Sequence, residues 1–364
     1  MRDFSKTKRI VVKVGTNVIG SKAGVDTRFL GVIAGQIAEL VRQGRQVILV
    51  TSGAIGMGSA ALGLTGRVAE VRKRQACAAV GQGILMHEYQ QAFSDHGQQV
   101  GQVLLTNSIM SNRKYYVNLK NTVESLLAMQ IVPIVNENDC VSIDEIDLAF
   151  GDNDRLSALV ASKIDAQLLI MLTDVKGLYD RNPRRDRRAA MIPTVYEITD
   201  QIEALAGPAG SLLGTGGMAS KIAAIRIASD GGCRVVLAHG REDNVILRIV
   251  SGEQIGTLFL PRRRLSNRKR WILNSRPQGR IEIDAGAAAA LARRKSLLLV
   301  GIIDVAGSFQ AGDVIDISDV ARGVCDIGES QLRTLLKDRK KDKPPTGTRP
   351  KAIVHVNNLV LLEK

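Results

Sequence analysis

Over the first 260 residues, short apolar runs alternate with amphipathic helical patterns. This alternation limits the chain to few folds. The runs are rich in Val, Ile and Leu and are apolar almost throughout, which is typical of parallel strands covered on both faces. They lie at 9–15, 46–51, 99–106, 131–136, 167–174 and 233–240. The alternation predicts an α/β fold, with a mostly parallel sheet sandwiched by helices and right-handed crossovers between strands.

The segments between these runs carry helical signals. Asp26 is suited to cap a helix whose apolar stripe is Leu30, Ile33, Ile37 and Val41. Further helices are predicted at 71–93, 116–129, 153–163, 198–206 and 218–230. Each predicted helix joins two predicted strands, as the sandwich requires.

The composition changes after Pro261. Residues 262–270 (RRRLSNRKR) are dense in charge, and the chain beyond them has short strand-like runs at 280–283, 297–303 and 314–317 with one helix at 285–294. Residues 337–351, rich in Lys, Asp and Pro, predict a loop. We therefore expect a first domain at 1–261, a basic linker at 262–275 and a small β-barrel-like domain at 276–364.

The formal net charge of +14 is unevenly distributed. From Arg262 to the end there are 21 Lys or Arg against 11 Asp or Glu, which leaves only +4 for the first 261 residues. A basic C-terminal region suits nucleic acid or another polyanion, and it equally suits a solvated surface. Charge alone does not choose between them.

Other compositional features indicate a cytoplasmic protein. The chain has no apolar run long enough to cross a bilayer, and its first nine residues lack the apolar core of a secretory signal. The cysteines, Cys77, Cys140, Cys233 and Cys325, are widely separated, which predicts reduced and mostly buried thiols rather than disulfides or a zinc site.

Glycine-rich and polar segments follow the predicted strands, and ligands bind beyond the carboxyl ends of strands in open parallel sheets. Lys13 ends the first strand and precedes a glycine turn, so its ammonium group could meet a phosphate. Residues 51–58 (TSGAIGMG) open a helix with exposed amides, which could hold a carboxylate or a phosphate. Either segment could also be an ordinary turn.

Three further segments extend this pattern. Residues 136–139 (NEND) and 151–154 (GDND) could hold a substrate ammonium, with Asn153 donating to a carboxylate and Asp154 orienting lysines. Two other interpretations compete with this one: these residues could bind Mg²⁺, or they could only form a turn or a helix N-cap. Residues 214–221 (GTGGMASK) lead a glycine loop into a helix bearing a lysine, which suits phosphates without matching a Walker A motif.

Together these segments resemble the amino acid kinase family. The matching pieces occur in the family's order and spacing: KVGTN at 13–17, TSGAI at 51–55, NEND at 136–139, GDNDRLSA at 151–158, LTDVKGLY at 172–179 and GTGGMASK at 214–221. The pair NEND and GDND is similar to the members that phosphorylate glutamate. RIEIDAGA at 280–287 and SFQAGDVI at 308–315 resemble a PUA domain, a small β-barrel found in RNA-modifying enzymes.

The resemblance implies transfer of the ATP γ-phosphate to the γ-carboxylate of L-glutamate, giving glutamyl 5-phosphate in the first step of proline biosynthesis. It implies ATP and Mg²⁺ as cofactors, proline as a feedback inhibitor and a homo-oligomer. It leaves RNA binding by the PUA-like domain open. The implied catalytic residues are Lys13, Asp154 and Lys221; the implied nucleotide-binding residues are Lys13, Thr173, Asp174, Thr215, Gly216, Gly217, Met218, Ala219, Ser220 and Lys221; and the implied glutamate-binding residues are Ser52, Asp139 and Asn153.

Two other functions stay open at this point. The basic C-terminal region suits an RNA-binding protein with a vestigial kinase domain, although every lysine and carboxylate expected for catalysis is present. A kinase for another small carboxylate would use the same machinery. A panel of carboxylate substrates with ATP would separate the three.

Overall fold

A computed structural model describes residues 2–21, 24–66, 68–106, 113–141, 153–183, 185–206, 217–261, 266–339 and 352–362. The chain divides into two compact units, Met1–Arg264 and Leu265–Lys364. This division falls inside the segment predicted as a linker. The domain limits proposed from the sequence, 1–261 and 276–364, stay predictions.

The described part of the first unit contains an eight-stranded sheet with the order β5-β6-β4-β1-β7-β9-β10-β8. Along this order, every neighbouring pair of strands between β5 and β9 is parallel. The next strand, β10, is antiparallel to β9. A two-stranded β2-β3 ribbon accompanies it. The strands are β1 Arg9–Val14, β2 Gly20–Ser21, β3 Gly24–Val25, β4 Gln46–Val50, β5 Val100–Leu105, β6 Val132–Glu137, β7 Leu168–Thr173, β8 Thr194–Val195, β9 Arg234–His239 and β10 Thr257–Phe259.

Helices cover both faces of this sheet, as the continuously apolar strands predict. The helices are α1 Thr16–Ile19, α2 Thr27–Arg42, α3 Ala54–Ala61, α4 Val71–Ser94, α5 Arg113–Ala128, α6 Asn153–Lys163, α7 Asp200–Leu205, α8 Met218–Asp230 and α9 Val245–Val250. One buried cluster joins α2, α4 and α9 to one face, and a second joins α5, α6 and α8 to the other. The predicted fold class is confirmed.

Strand order places a crevice at β1. The chain passes from β1 to β4 on one side and later returns to β7 on the other. Because the strands from β5 to β9 are parallel, their carboxyl ends share one edge, and the order reverses at β1, where ligands bind in such sheets. Lys13 lies at this point, paired in register with Val50 of β4 and Met171 of β7.

The predicted elements of this unit form with small shifts at their ends. Asp26 caps α2 as expected, accepting a hydrogen bond from the Phe29 amide at 3.1 Å. The far edge of the sheet was not predicted: β8 and β10 are only two and three residues long. Runs this short carry too little periodicity to be recognised from the sequence.

The second unit has a small sheet of its own, as predicted, but its described residues are divided about equally between strands and helices rather than being mostly β. Its described residues form a five-stranded sheet of order β13-β11-β14-β15-β17 and a β12-β16 pair. The strands are β11 Gly279–Ile283, β12 Leu297–Leu298, β13 Ile302–Gly307, β14 Val314–Ile317, β15 Ala321–Val324, β16 Ala352–Val354 and β17 Leu359–Leu361; the helices are α10 Asn267–Asn274, α11 Ala285–Ala292 and α12 Glu329–Arg339, with 3-10 turns at Leu299–Gly301 and Val356–Asn358.

Two segments of this unit differ from the sequence prediction. The basic connector contains α10, whose Ile272 is fully buried against Val314, Val324 and Val360. Its apolar residues, Trp271, Ile272 and Leu273, are consecutive and follow a run of charge, so they show no helical periodicity and the helix was missed. Residues 337–339, predicted as part of a loop, end α12 instead. The rest of that predicted loop, 340–351, lies outside the described residues.

Three of the four cysteines, Cys77, Cys233 and Cys325, are buried, as predicted, and Cys140 is exposed. Within the part of the chain that is described, no helix is long and apolar enough to span a bilayer.

Candidate functional site

A buried carboxylate joins two lysines at the crevice beside β1. The Asp154 carboxylate lies 2.5 Å from Lys13 Nζ through Oδ1 and 3.0 Å from Lys221 Nζ through Oδ2. The three side chains are 1%, 5% and 9% exposed. Two ammonium groups around one carboxylate leave a formal charge of +1, so the cluster can attract an anion. The three predicted catalytic residues therefore meet at one point.

Alternation along β1 explains why they meet. Val11 belongs to the buried cluster formed with α6 and α8. Because successive side chains of a strand point to opposite faces, Lys13 shares the face of Val11. Asp154 is in the first turn of α6 and Lys221 is in the first turns of α8, and these two helices pack together on that face.

A glycine keeps space beside the Lys13 ammonium group. A Cβ atom at Gly15 would lie 3.2 Å from Lys13 Nζ and 3.5 Å from the Leu172 carbonyl oxygen. Any larger side chain would therefore crowd the lysine. The KVG turn has a local steric reason to contain glycine.

The turn after β4 lies next to α6. Gly53 has φ +106° and caps α3 from the left-handed region, which favours glycine. This conformation sets Ser52 at the end of the strand. Asn153 Nδ2 donates to Ser52 Oγ at 2.9 Å and to the Thr51 carbonyl oxygen. Two of the three predicted glutamate-binding residues are thus in contact.

The partly buried Asn153 amide also contacts the buried amides of Asn136 and Gln82. Its Nδ2 lies 2.9 Å from Asn136 Oδ1, so its two hydrogens are shared among three acceptors, and Asn136 Nδ2 donates to Gln82 Oε1 at 2.8 Å. The Asn153 donors therefore point to protein acceptors. The sequence interpretation, in which Asn153 donates to a carboxylate, differs from this arrangement, which leaves Asn153 Oδ1 as the accepting part of the amide.

A close helix crossing positions the turn that holds Ser52. A Cβ atom on Gly81 of α4 would lie 1.8 Å from the Ala54 carbonyl oxygen, and one on Gly58 of α3 would lie 1.8 Å from the Cys77 carbonyl oxygen. Only glycine permits backbones to approach so closely. The crossing brings α4, and with it Gln82, up to the end of β6.

The predicted nucleotide residues at the end of β7 form a linked group. Thr173 Oγ1 donates to Asp174 Oδ1 at 3.0 Å, and Asn17 Nδ2 donates to Asp174 Oδ2 at 3.3 Å. Burial alone would raise the pKa of Asp174, but these hydrogen bonds and the charge of Lys221 outweigh it and lower the pKa. Asp174 is therefore held as an anion near the lysine cluster.

Asp139 follows β6 by two residues and is half-buried. Burial raises the pKa of its carboxyl group, and the positive charge of Arg74 opposes the shift. A partly desolvated carboxylate gains from a cationic ligand. The role of Asp139 toward an ammonium group, and a site common to Asp139, Asn153 and Ser52, stay predictions.

The last predicted group lies at the start of α8. Gly217 caps the helix, Ser220 Oγ donates to the Gly217 carbonyl oxygen at 2.8 Å, and Lys221 is buried. Met218 packs against the core and Ala219 is half-buried. Outside the described residues lie the predicted Thr215 and Gly216, as well as Gly151 and Asp152.

Sequence reasoning gave no role to two residues that the structure brings into the site. Asn136 was part of a recognised segment, but its partners could not be read from the chain. Gln82 is a polar residue inside a long helix, where a glutamine resembles any surface position. The visible signal is the pair Gly81-Gln82, because a glycine within a helix often marks a close contact.

Comparison with known proteins identifies the families to which the two parts of the chain are similar. The amino acid kinase family model matches residues 8–239, and the PUA domain model matches residues 279–341. A glutamate 5-kinase from Methanosarcina mazei is 46% identical over 342 residues, covering 90% of this chain and 89% of its own length. A glutamate 5-kinase from Geobacter sulfurreducens is 42% identical over 370 residues, covering 99% of both chains. The predicted pairing of a kinase domain with a PUA domain is confirmed, and the chain belongs to the amino acid kinase family.

Proposed function

We propose that this protein is a glutamate 5-kinase, which transfers the γ-phosphate of ATP to the γ-carboxylate of L-glutamate. The observation that carries the proposal is the buried Lys13–Asp154–Lys221 cluster at the crevice of a parallel sheet. The name shared by relatives that match nearly the whole chain supports the choice of substrate. An intact cluster argues against a vestigial kinase domain.

The reaction asks for positioning and charge neutralisation rather than proton transfer. A γ-carboxylate oxygen of glutamate attacks the γ-phosphorus of ATP, a new P–O bond forms, and the bond to the leaving ADP oxygen breaks. Because the carboxylate is already ionised, no general base is needed. Two anions must instead be brought together, and the transition-state charge must be neutralised.

Lys13 and Lys221 supply that neutralisation in our assignment. Their ammonium groups would flank the transferred phosphoryl group, and Asp154 holds both in place while leaving a net positive charge. A preorganised pair of this kind costs no rearrangement at the moment of reaction. The acyl phosphate product is labile to water, so the low exposure of the cluster also protects it.

Glutamate would lie on the β4 and β6 side of this cluster. Ser52 and the amides of its turn are assigned to the substrate carboxylates, and Asp139 to the ammonium group. Asn153 is assigned to the substrate ammonium group, as an acceptor through Oδ1, since its donors face protein oxygens. The reacting carboxylate would lie beside Asp154, the next residue, whose two lysines are assigned to the transferred phosphoryl group.

ATP would lie on the β7 and α8 side. The donor set suits phosphates: the start of α8, the Lys221 ammonium group and the described part of the glycine loop. We assign Thr173, Asp174 and residues 215–221 to the nucleotide. Mg²⁺ is proposed to accompany ATP, where it would offset phosphate charge.

A coupled ADP-release assay with a panel of carboxylates tests the proposal. We expect turnover with L-glutamate and little with aspartate, N-acetylglutamate or carbamate. Turnover with another carboxylate in preference to glutamate would favour the rival kinase. RNA binding without turnover of any carboxylate would favour the vestigial enzyme.

The remaining features implied by the resemblance are proposed with it. We expect proline to inhibit the reaction, the chain to form a homo-oligomer and the protein to act in the cytoplasm. RNA is a candidate ligand of the basic second unit. Repeating the assay with proline, and measuring solution mass, tests the first two features directly.

A further inference from the structure

The side-chain amides of Asn153, Asn136 and Gln82, next to the catalytic cluster, have a direction imposed by the backbone. The Thr51 carbonyl oxygen can only accept, so the Asn153 amide must turn its nitrogen toward it. Asn136 must then present Oδ1 to Asn153, and its Nδ2 to Gln82. Gln82 in turn must present Oε1. Thr51, Asn153, Asn136 and Gln82 thus form a hydrogen-bond relay, and its last group is the Gln82 amide nitrogen, Nε2.

That nitrogen is a buried donor for which the relay provides no acceptor. Gln82 is 9% exposed, and its Nε2 has no hydrogen-bond partner among the residues that the structure describes. Leaving a buried donor unsatisfied costs stability, so such a group in a native protein calls for an acceptor that arrives from outside. The four-residue relay keeps the donor from rotating to satisfy itself.

The acceptor can be inferred from the place of Gln82 in the relay. Asn153 adjoins Asp154, where the reacting γ-carboxylate is proposed to lie, and Gln82 is two hydrogen bonds farther along. The α-carboxylate of glutamate is likewise the end of the molecule remote from the reaction. A carboxylate also makes a stronger bond with an amide N–H than a neutral acceptor does.

We infer that Gln82 Nε2 donates a hydrogen bond to the α-carboxylate of the amino-acid substrate and so helps to select an α-amino acid. This inference deepens the proposed function and rests on it. Gln82 is a specificity residue that contacts the substrate but none of the reacting atoms. Its second role, accepting from Asn136, keeps the relay oriented.

Two substitutions separate these roles. Gln82→Leu removes both the donor and the acceptor. Gln82→Glu keeps an oxygen for Asn136 Nδ2 but puts a carboxylate oxygen where the donor was, facing the substrate carboxylate. Gln90→Glu, on the exposed surface of the same helix, is the matched control for the added charge. Thermal melts of the full-length proteins establish that each variant is folded.

The decisive measurement is glutamate affinity by calorimetry, together with the KM for ATP. We expect Gln82→Glu at about pH 8 to weaken glutamate binding by roughly 10- to 100-fold, the range for a hydrogen bond to a charged group. The KM for ATP should stay within about twofold of wild type. Gln90→Glu should bind glutamate like the wild type.

Lowering the pH adds a signature that a structural role would not give. Once the carboxylate introduced by Gln82→Glu is protonated, it can donate again, so the affinity of this variant relative to wild type should recover as the pH falls. A second signature uses 4-aminobutyrate, which lacks the α-carboxylate. The preference for glutamate over this analogue should drop about tenfold or more in Gln82→Leu, because the variant and the analogue lose the same bond.

Some outcomes would overturn only the role of Gln82, and another would overturn the proposed function as well. If the wild type binds glutamate and Gln82→Glu binds it equally well at the higher pH, the inference is overturned while the proposed function stands. If Gln82→Glu does not fold, an unchanged preference for glutamate over 4-aminobutyrate in Gln82→Leu overturns it. A wild type that binds no glutamate overturns both.

Discussion

Asp154 illustrates how a single residue can organise a site without reacting. Its carboxylate is almost fully buried and holds one lysine from a strand and one from a helix 67 residues away. A lone buried carboxylate would be costly, and the two ammonium groups remove that cost. The same pairing fixes both lysines, so their positive charge is directed rather than mobile.

Lys221→Ala should lower turnover with glutamate about 100-fold or more while the chain stays folded. The physical reason is the loss of one preorganised charge at the transferred phosphoryl group, while Lys13 still pairs with Asp154. Steady-state assays and a thermal melt provide the measurement.

The matched control for Lys221 is Lys120→Ala. Lys120 also binds an aspartate, Asp165, at 3.2 Å, but it lies on α5 away from the crevice. It should keep nearly full activity. Equal activity in the two variants would contradict the role assigned to Lys221.

Asp139→Asn should weaken glutamate binding roughly 30-fold or more while leaving ATP binding unchanged, since it removes the charge assigned to the substrate ammonium group. Calorimetry with each ligand separately measures this. Loss of ATP binding with intact glutamate binding would show that Asp139 serves the nucleotide instead.

The same variant should be more stable than the wild type at neutral pH. Burial raises the pKa of Asp139, so the folded state favours the protonated form and carries a penalty once the group ionises. Asparagine mimics the protonated form. The gain should therefore fade below about pH 4, where aspartate is protonated in the folded and unfolded states alike. Thermal melts across this range check the sign.

At the scale of elements, the contact between α3 and α4 decides where Ser52 lies. The two helices approach so closely that Gly58 and Gly81 each face a backbone atom of the partner helix. Because α3 begins at Ala54, any separation of the helices displaces the turn that precedes it. In the proposed site, helix packing would therefore affect substrate binding through the backbone rather than through side chains.

Gly81→Ala should therefore destabilise the protein by about 2 kcal/mol or more and raise the KM for glutamate, because its Cβ atom would overlap the Ala54 carbonyl oxygen. Gly83→Ala on the same helix is the matched control. It has no atom within 4 Å of its Cβ position, so it should gain about 0.5–1 kcal/mol. Urea unfolding and glutamate kinetics of both variants measure the contrast. A neutral Gly81→Ala would show that α3 can move away freely.

At the scale of the whole molecule, the described buried clusters each draw on one unit. Two clusters lie within the first unit and two within the second. The residues assigned to catalysis and to both substrates all belong to the first unit. This organisation suggests that the chemistry and the second unit's function are separable.

A chain ending at Pro261 should fold and keep glutamate kinase activity within about tenfold, because phosphoryl transfer needs only groups at the carboxyl edge of the large sheet. Circular dichroism and the coupled assay measure folding and activity. The same fragment carrying Lys221→Ala controls for contaminating kinases. A folded but inactive fragment would place an essential group beyond residue 261, and an unfolded fragment would show that the units depend on each other.

The architecture and the neighbourhood of the site could be predicted from the order of residues in the chain. Apolar runs at strand length predicted the covered parallel sheet, and parallel strands place their carboxyl ends together, so residues such as Lys13 and Thr173 were expected near one another. This information is local, because periodicity and turn chemistry depend on a few neighbouring residues. The partners of each residue became visible only in the folded chain: which amide faces which, the close approach at Gly81, and the burial of Gln82 and Ile272. Those contacts join residues far apart in the chain, and they depend on how the faces of helices and strands pack, which no single segment records.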